Sequence, residues 1–150
     1  MTLKEHGYKP RLIDGKITKY MSIYGVLSIE GPKWCGKTWT ALNHAKSVVY
    51  MLDPENDYAN REAARLNPAS ILTGEKPLLV DEWQKVPGIW DAVRFASDRT
   101  KEKGLYLLTG SVTPQKDSAA PSFLAVISGG GALYTRDDGI HVIPIDCIMP

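Results

Sequence analysis

Apolar side chains recur in short, punctuated blocks along this chain. Leu12, Ile13, Ile17, Tyr20, Met21 and Tyr24 follow Pro10 at near-helical spacing, which predicts a short amphipathic helix. Gly25-Val-Leu-Ser-Ile-Glu30 is a compact apolar run stopped by glycine and reads as a buried strand. A glycine-containing loop leads into a helical stretch from Gly36 to about His44. Residues 47–52 form a second strand pattern, halted by Asp53-Pro54. Residues 57–66 suit a helix, with Asn56 as its cap and Asn67-Pro68 as its end. Pro77 introduces a third strand, residues 78–80, that runs straight into Asp81-Glu82. Val86, Ile89, Trp90 and Val93 follow i, i+3, i+4, i+7 and predict a helix from about Pro87 to Thr100. Gly104 resets the chain before a fourth strand at 105–109.

Strands separated by helices describe βαβ units, so the expected fold is α/β: a parallel sheet with helices on both faces. The alternation stops after Ser111. Residues 113–122 are polar and bounded by prolines, with a linker placed at 115–122. Phe123-Leu-Ala-Val-Ile127 has a strand composition. Residues 133–135 and 140–143 flank Arg136-Asp-Asp-Gly139 in the form of a β-hairpin.

Composition changes the picture only by exclusion. With 150 residues, 43% hydrophobic and 23% charged, the chain is sized and composed as an ordinary globular domain. No run approaches the roughly 18 to 20 apolar residues of a membrane span, and the charged start lacks the apolar stretch of a secretory signal. Two cysteines, Cys35 and Cys147, are too few for a disulfide framework, so a cytoplasmic setting is expected. A formal net charge of +1 does not support a dedicated nucleic-acid binder. Residues 1–40 nevertheless carry seven basic and three acidic side chains, a front that suits either phosphates or plain solvation.

Candidate chemistry lies in that front. Gly31-Pro32-Lys33-Trp34-Cys35-Gly36-Lys37-Thr38 fits Gly-x-x-x-x-Gly-Lys-[Ser/Thr], between an expected strand and an expected helix. Gly31 allows the sharp exit from the strand, and Gly36 lets the backbone come close to phosphates. Amides from about Trp34 to Thr38 would meet the anion at the helix N-terminus. Lys37 supplies a point charge to the phosphates, and the Thr38 hydroxyl is a ligand for Mg²⁺. Asp81, at the end of the third strand, supplies the second half of the metal site. Glu82 is placed to orient or deprotonate an attacking water. A strand inserted between the loop strand and the Asp81-Glu82 strand resembles the ATPase division of P-loop proteins, and that resemblance implies a polar residue at the end of the fourth strand, Thr109-Gly-Ser111, that senses the terminal phosphate; Ser111 is favoured and Thr109 comes next, with a plain polar strand exit as the alternative.

Several segments together look like one family. Tyr8-Lys-Pro-Arg11, residues 29–38, Leu79-Val-Asp-Glu-Trp-Gln84, Trp90-Asp-Ala-Val-Arg94 and Leu107-Leu-Thr-Gly-Ser111 resemble prokaryotic AAA-type P-loop ATP-binding proteins. The resemblance covers roughly residues 7–114. It implies Walker A and Walker B elements binding ATP and Mg²⁺, and a fourth strand lying between the loop strand and the metal strand. It also implies a second domain, restriction-endonuclease-like, whose very end is similar to residues 123–150. The chain therefore divides into an ATP-binding domain at 1–114, a linker at 115–122 and a C-terminal remnant at 123–150. Such proteins are much longer, so the middle of the family pattern, including the fifth core strand and an arginine for the transition state, is expected to be missing. Residues 123–127 would then either cover the loop strand or leave it as an exposed edge.

Arg11 stands where related ATPases cradle the adenine edge, and a surface role is equally open. Trp34 and Trp83 could stack on a base, but packing in the loop and core accounts for them more simply. Cys35 reads as a small loop residue, with a redox role as the alternative. His6, His44 and His141 lack metal-ligand spacing, and Asp137-Asp138 is sufficiently explained as a turn. The function expected is Mg²⁺-dependent ATP binding with slow hydrolysis. The alternatives are a non-catalytic nucleotide-binding or interaction fragment, and more weakly a nucleic-acid-binding ATPase. A homo-oligomer or protein partner is compatible with this reading, and a membrane is not.

Overall fold

The computed structural model describes residues 3, 7–31, 33–110, 125–128, 134–135 and 141–144. Its elements follow in the expected order: α1 (Leu12–Met21), β1 (Val26–Glu30), α2 (Lys37–Leu42), β2 (Ser47–Tyr50), α3 (Ala59–Leu66), β3 (Leu78–Asp81), α4 (Gly88–Thr100) and β4 (Tyr106–Gly110). Short 3-10 turns at Pro68–Ile71 and Trp83–Lys85 link them. Beyond β4 the described residues hold three strands, β5 (Ala125–Ser128), β6 (Tyr134–Thr135) and β7 (His141–Pro144).

All seven strands join one sheet in the order β2-β3-β4-β1-β5-β7-β6. The first four are parallel, and β4 lies between β1 and β3 as expected. Of the two outcomes open for the far edge of β1, cover is what occurs: β5 pairs with it in parallel, Ser28 opposite Val126 and Ile29 opposite Ile127. β7 runs parallel to β5, and β6 turns back antiparallel to β7, with Tyr134 opposite Val142. The antiparallel pairing expected of the hairpin strands is present, and the Arg136-Asp-Asp-Gly139 turn lies outside the described residues. The linker at 115–122, Cys147 and Asp137-Asp138 lie outside the described residues.

Side-chain alternation divides each central strand between two cores. Val26, Leu78, Val80, Tyr106 and Leu108 face α3, α4 and the Pro68–Ile71 turn, packing on Ala64, Ile71, Ile89, Trp90 and Val93. Leu27, Ile29, Leu79 and Leu107 face the other way, onto Ile13, Ile17 and Met21 of α1 and Ala41 and Leu42 of α2. Near-continuous apolar strands are thus explained by burial on both sides.

Two local expectations need correction. Asn56 does not cap α3. The residue before the helix is Tyr58, held left-handed at φ 55°, and Asn56 contributes only its carbonyl, to the Ala59 amide. The second helix is also shorter than the sequence pattern, ending at Leu42, with Asn43 and His44 in the following turn. No helix among the described residues is long and apolar enough to cross a membrane.

Candidate functional site

The sheet brings the carboxyl ends of β1, β4 and β3 side by side, with Ile29 opposite Thr109 and Thr109 opposite Asp81. Residues 31–38 leave the end of β1 and enter α2. Gly36 caps that helix at φ 87°, a left-handed backbone that glycine adopts without strain. A Cβ there would also lie 2.5 Å from Arg11 Nη2 and 2.7 Å from Nη1. The turn therefore requires glycine, and a side chain there would also displace the Arg11 guanidinium.

Lys37 is only 7% exposed. Its Nζ donates to the Gly31 carbonyl at 2.8 Å and lies 3.9 Å from Cys35 Sγ, so the ammonium ties the two ends of the loop together. Cys35 is half-buried and not in a disulfide, and Lys33 is exposed. Pro32 lies outside the described residues.

Trp34 overturns the packing expected of it. It is 99% exposed, because a left-handed backbone at φ 68° carries its indole out into solvent. Trp83 does pack as expected, buried against Trp90 with ring centroids 5.4 Å apart.

Thr38, Asp81 and Thr109 converge from three different elements. Thr38 Oγ1 donates to Asp81 Oδ1 at 2.7 Å, and Thr109 Oγ1 donates to the same oxygen at 2.5 Å. A carboxylate and a hydroxyl in contact form an all-oxygen donor set, which suits a small hard cation such as Mg²⁺. Thr109 is buried, and its hydroxyl supports Asp81 from within the sheet. Ser111 lies outside the described residues. Among the described residues no group of three or more His, Cys, Asp or Glu side chains gathers into a metal cluster.

Glu82 follows β3 in a left-handed turn at φ 56°. Its Oε2 accepts a hydrogen bond from Gln84 Nε2 at 2.5 Å. Sequence reasoning passed over Gln84, whose side chain also fills the space where a Cβ on Gly110 would stand.

Arg11 is half-buried beside the loop. Its Nη1 reaches the carbonyls of Cys35 at 3.3 Å and Gly36 at 3.4 Å, and the Thr40 hydroxyl at 3.0 Å. Beneath it, the Asp14 carboxylate is a shared acceptor. Oδ2 takes the Arg11 backbone N–H at 2.7 Å, while Oδ1 takes Tyr8 Oη–H at 2.7 Å and contacts His44 Nε2 at 2.8 Å. Burial pushes the Asp14 carboxyl up, but hydrogen bonds from the Arg11 amide, His44 and Tyr8 outweigh it and hold it below the usual carboxylate range. Burial, joined by the bond to Asp14, pushes the Tyr8 phenol up to about 12. An Asp three residues into a helix was the available signal for this cluster, but an arginine in the cap position obscured it.

Residues 24–126, more than half of the chain, match the family model of the AAA domain. Comparison with curated proteins and with solved structures gave no match.

Proposed function

Since the chain belongs to the AAA domain family, we propose that it binds ATP with Mg²⁺ along residues 31–38 and hydrolyses it slowly to gate a process in a partner. The observation that carries this reading is the meeting of Thr38 and Thr109 on one oxygen of Asp81, beside a buried lysine that spans the loop. Lys37 would exchange the Gly31 carbonyl for phosphate oxygens. Thr38 and Asp81 would hold Mg²⁺, which when bound neutralises charge on the phosphates. Glu82 would accept a proton from the attacking water, with Gln84 fixing the carboxylate through its amide. Gly31, Pro32, Lys33, Trp34, Cys35 and Gly36 supply the backbone of the cradle.

Turnover is expected to be slow because none of the arginines sits at a recognisable finger position in the sequence. Such an arginine contributes a factor of roughly 10³ to 10⁵ in kcat. The same reading takes residues 1–114 as the nucleotide-binding unit and 115–122 as a linker. Residues 123–150 are then a remnant of a restriction-endonuclease-like domain whose strands extend the same sheet, and the chain works in the cytoplasm with a second copy or a protein partner. Titration with a fluorescent ATP analogue, with and without Mg²⁺, tests the central claim on wild type and Lys37→Ala. Affinity should fall at least about tenfold in the variant, and unchanged affinity would sink the proposal. Single-turnover hydrolysis that disappears in Glu82→Gln would establish the catalytic part.

A further inference from the structure

We infer that Arg11 is a positioning residue for phosphate binding: from the carbonyl side it holds the loop in the conformation that presents its amides, and so sets the affinity for a polyphosphate chain. The inference rests on the phosphate-loop reading above and adds a residue that acts through the loop.

Peptide geometry supplies the argument. The Cys35 carbonyl and the Gly36 N–H belong to one planar unit and point in opposite directions, as do the Gly36 carbonyl and the Lys37 N–H. Arg11 Nη1 engages both carbonyls, at 3.3 and 3.4 Å. The first turn of α2 already holds the Gly36 carbonyl through the Thr40 N–H at 3.0 Å, and Arg11 adds the Cys35 carbonyl to the same side; with both oxygens held there, the two amides face the opposite side, which is where an anion at this loop must lie. Gly36 has no side chain to keep the guanidinium away, and its left-handed turn brings both peptides within reach of one nitrogen.

The grip is itself anchored. Thr40 Oγ1 accepts from the same Nη1 at 3.0 Å, which fixes the guanidinium to the body of α2. Asp14 holds the Arg11 backbone amide at 2.7 Å and contacts His44, just past the end of α2, at 2.8 Å. The start of α1 therefore clasps α2 at both ends. A fixed positive charge on the outer side of the loop also favours an anion on its inner side.

The test uses Mg²⁺-ATP and Mg²⁺ with inorganic tripolyphosphate as probes, together with hydrogen exchange of amides 35–38 in the protein without either. Arg11→Ala should weaken both probes by about tenfold, as expected for losing charge-assisted hydrogen bonds. The loop amides should exchange faster, and Arg11→Lys should recover part of each effect. Should Arg11→Ala fail to fold, Thr40→Val should weaken both probes by a few-fold. Unchanged affinity for both probes, or unchanged loop exchange, overturns the inference and leaves the phosphate-loop reading standing. So does weakening for ATP without weakening for tripolyphosphate, which would mean that Arg11 reads the base. A wild-type protein that takes up neither probe overturns both.

Discussion

Replacing Thr109 with valine removes one hydroxyl and leaves the shape of the side chain nearly intact. That hydroxyl is 1% exposed with its residue and donates to Asp81 Oδ1 at 2.5 Å, so it forms a buried bond to a carboxylate. Such bonds contribute about 1.5 to 3 kcal/mol. The methyl group that takes its place recovers about 0.8 kcal/mol of burial. The net loss is then about 1 to 2 kcal/mol, which lowers Tm by roughly 3 to 6 °C for a chain of this size. Thermal and denaturant unfolding followed by circular dichroism measures it directly. The decisive comparison repeats the substitution in an Asp81→Asn background, where the acceptor remains but its charge is gone. There the cost of Thr109→Val should fall to about that of a neutral bond, 1 kcal/mol or less after the methyl correction. Equal costs in both backgrounds would refute the reasoning, since the charge on Asp81 would then play no part in holding Thr109.

Gly36→Ala forces a side chain into a backbone at φ 87° and against the Arg11 guanidinium, so it should cost about 1 to 3 kcal/mol and weaken ATP-analogue binding in the same titration. Trp34→Ala removes a side chain that is 99% exposed, so unfolding free energy should stay within about 0.5 kcal/mol of wild type, while the long-wavelength part of the tryptophan emission shrinks to what Trp39, 47% exposed, contributes. Asp14→Asn tests the acid side of stability. Because the folded carboxyl titrates below the ordinary aspartate range, its contribution is fully present above that range and is lost as pH falls through the lower folded value. The gap between wild type and variant in denaturant titrations should therefore be present at about pH 5 and close below about pH 4. Tyr8 gives the alkaline counterpart: its contribution is complete below pH 10 and fades as pH rises toward about 12, which absorbance titration of Tyr8→Phe against wild type will show.

The loop and the strand that feeds it were legible in the sequence because each rests on short-range information. Residues 31–38 carry their own glycine spacing, and Asp81 ends an unbroken apolar run. The insertion of β4 between β1 and β3 followed from the order of strands in the family that these motifs resemble. What escaped was made by pairs distant in sequence. Arg11 meets Cys35 and Thr40, and Asp14 meets His44, through α1 lying across the same face as α2. No local pattern states that packing. Trp34 escaped for a different reason, since composition favours burying an indole while the left-handed turn at the loop's tip directs it outward. Gln84 looked like one more polar residue after Glu82, because a bond across a 3-10 turn has no periodic signature.

The place of β1 in the sheet also has a temporal consequence. Its two neighbours are β4 and β5, so Val26 waits for Tyr106, about 80 residues later, and Ser28 waits for Val126, about 100 residues later. β2 and β3 can pair much sooner, with Ser47 and Leu78 about 30 residues apart. At a synthesis rate of roughly 5 to 20 residues per second, the strand that carries the phosphate loop stays unpaired for about 4 to 16 seconds after it is made. Closing so long a loop is also entropically costlier than closing the β2–β3 connection. The strand that feeds the nucleotide cradle thus pairs later than β2 and β3 do, and its apolar edges stand open on the ribosome until β4 and then β5 are made.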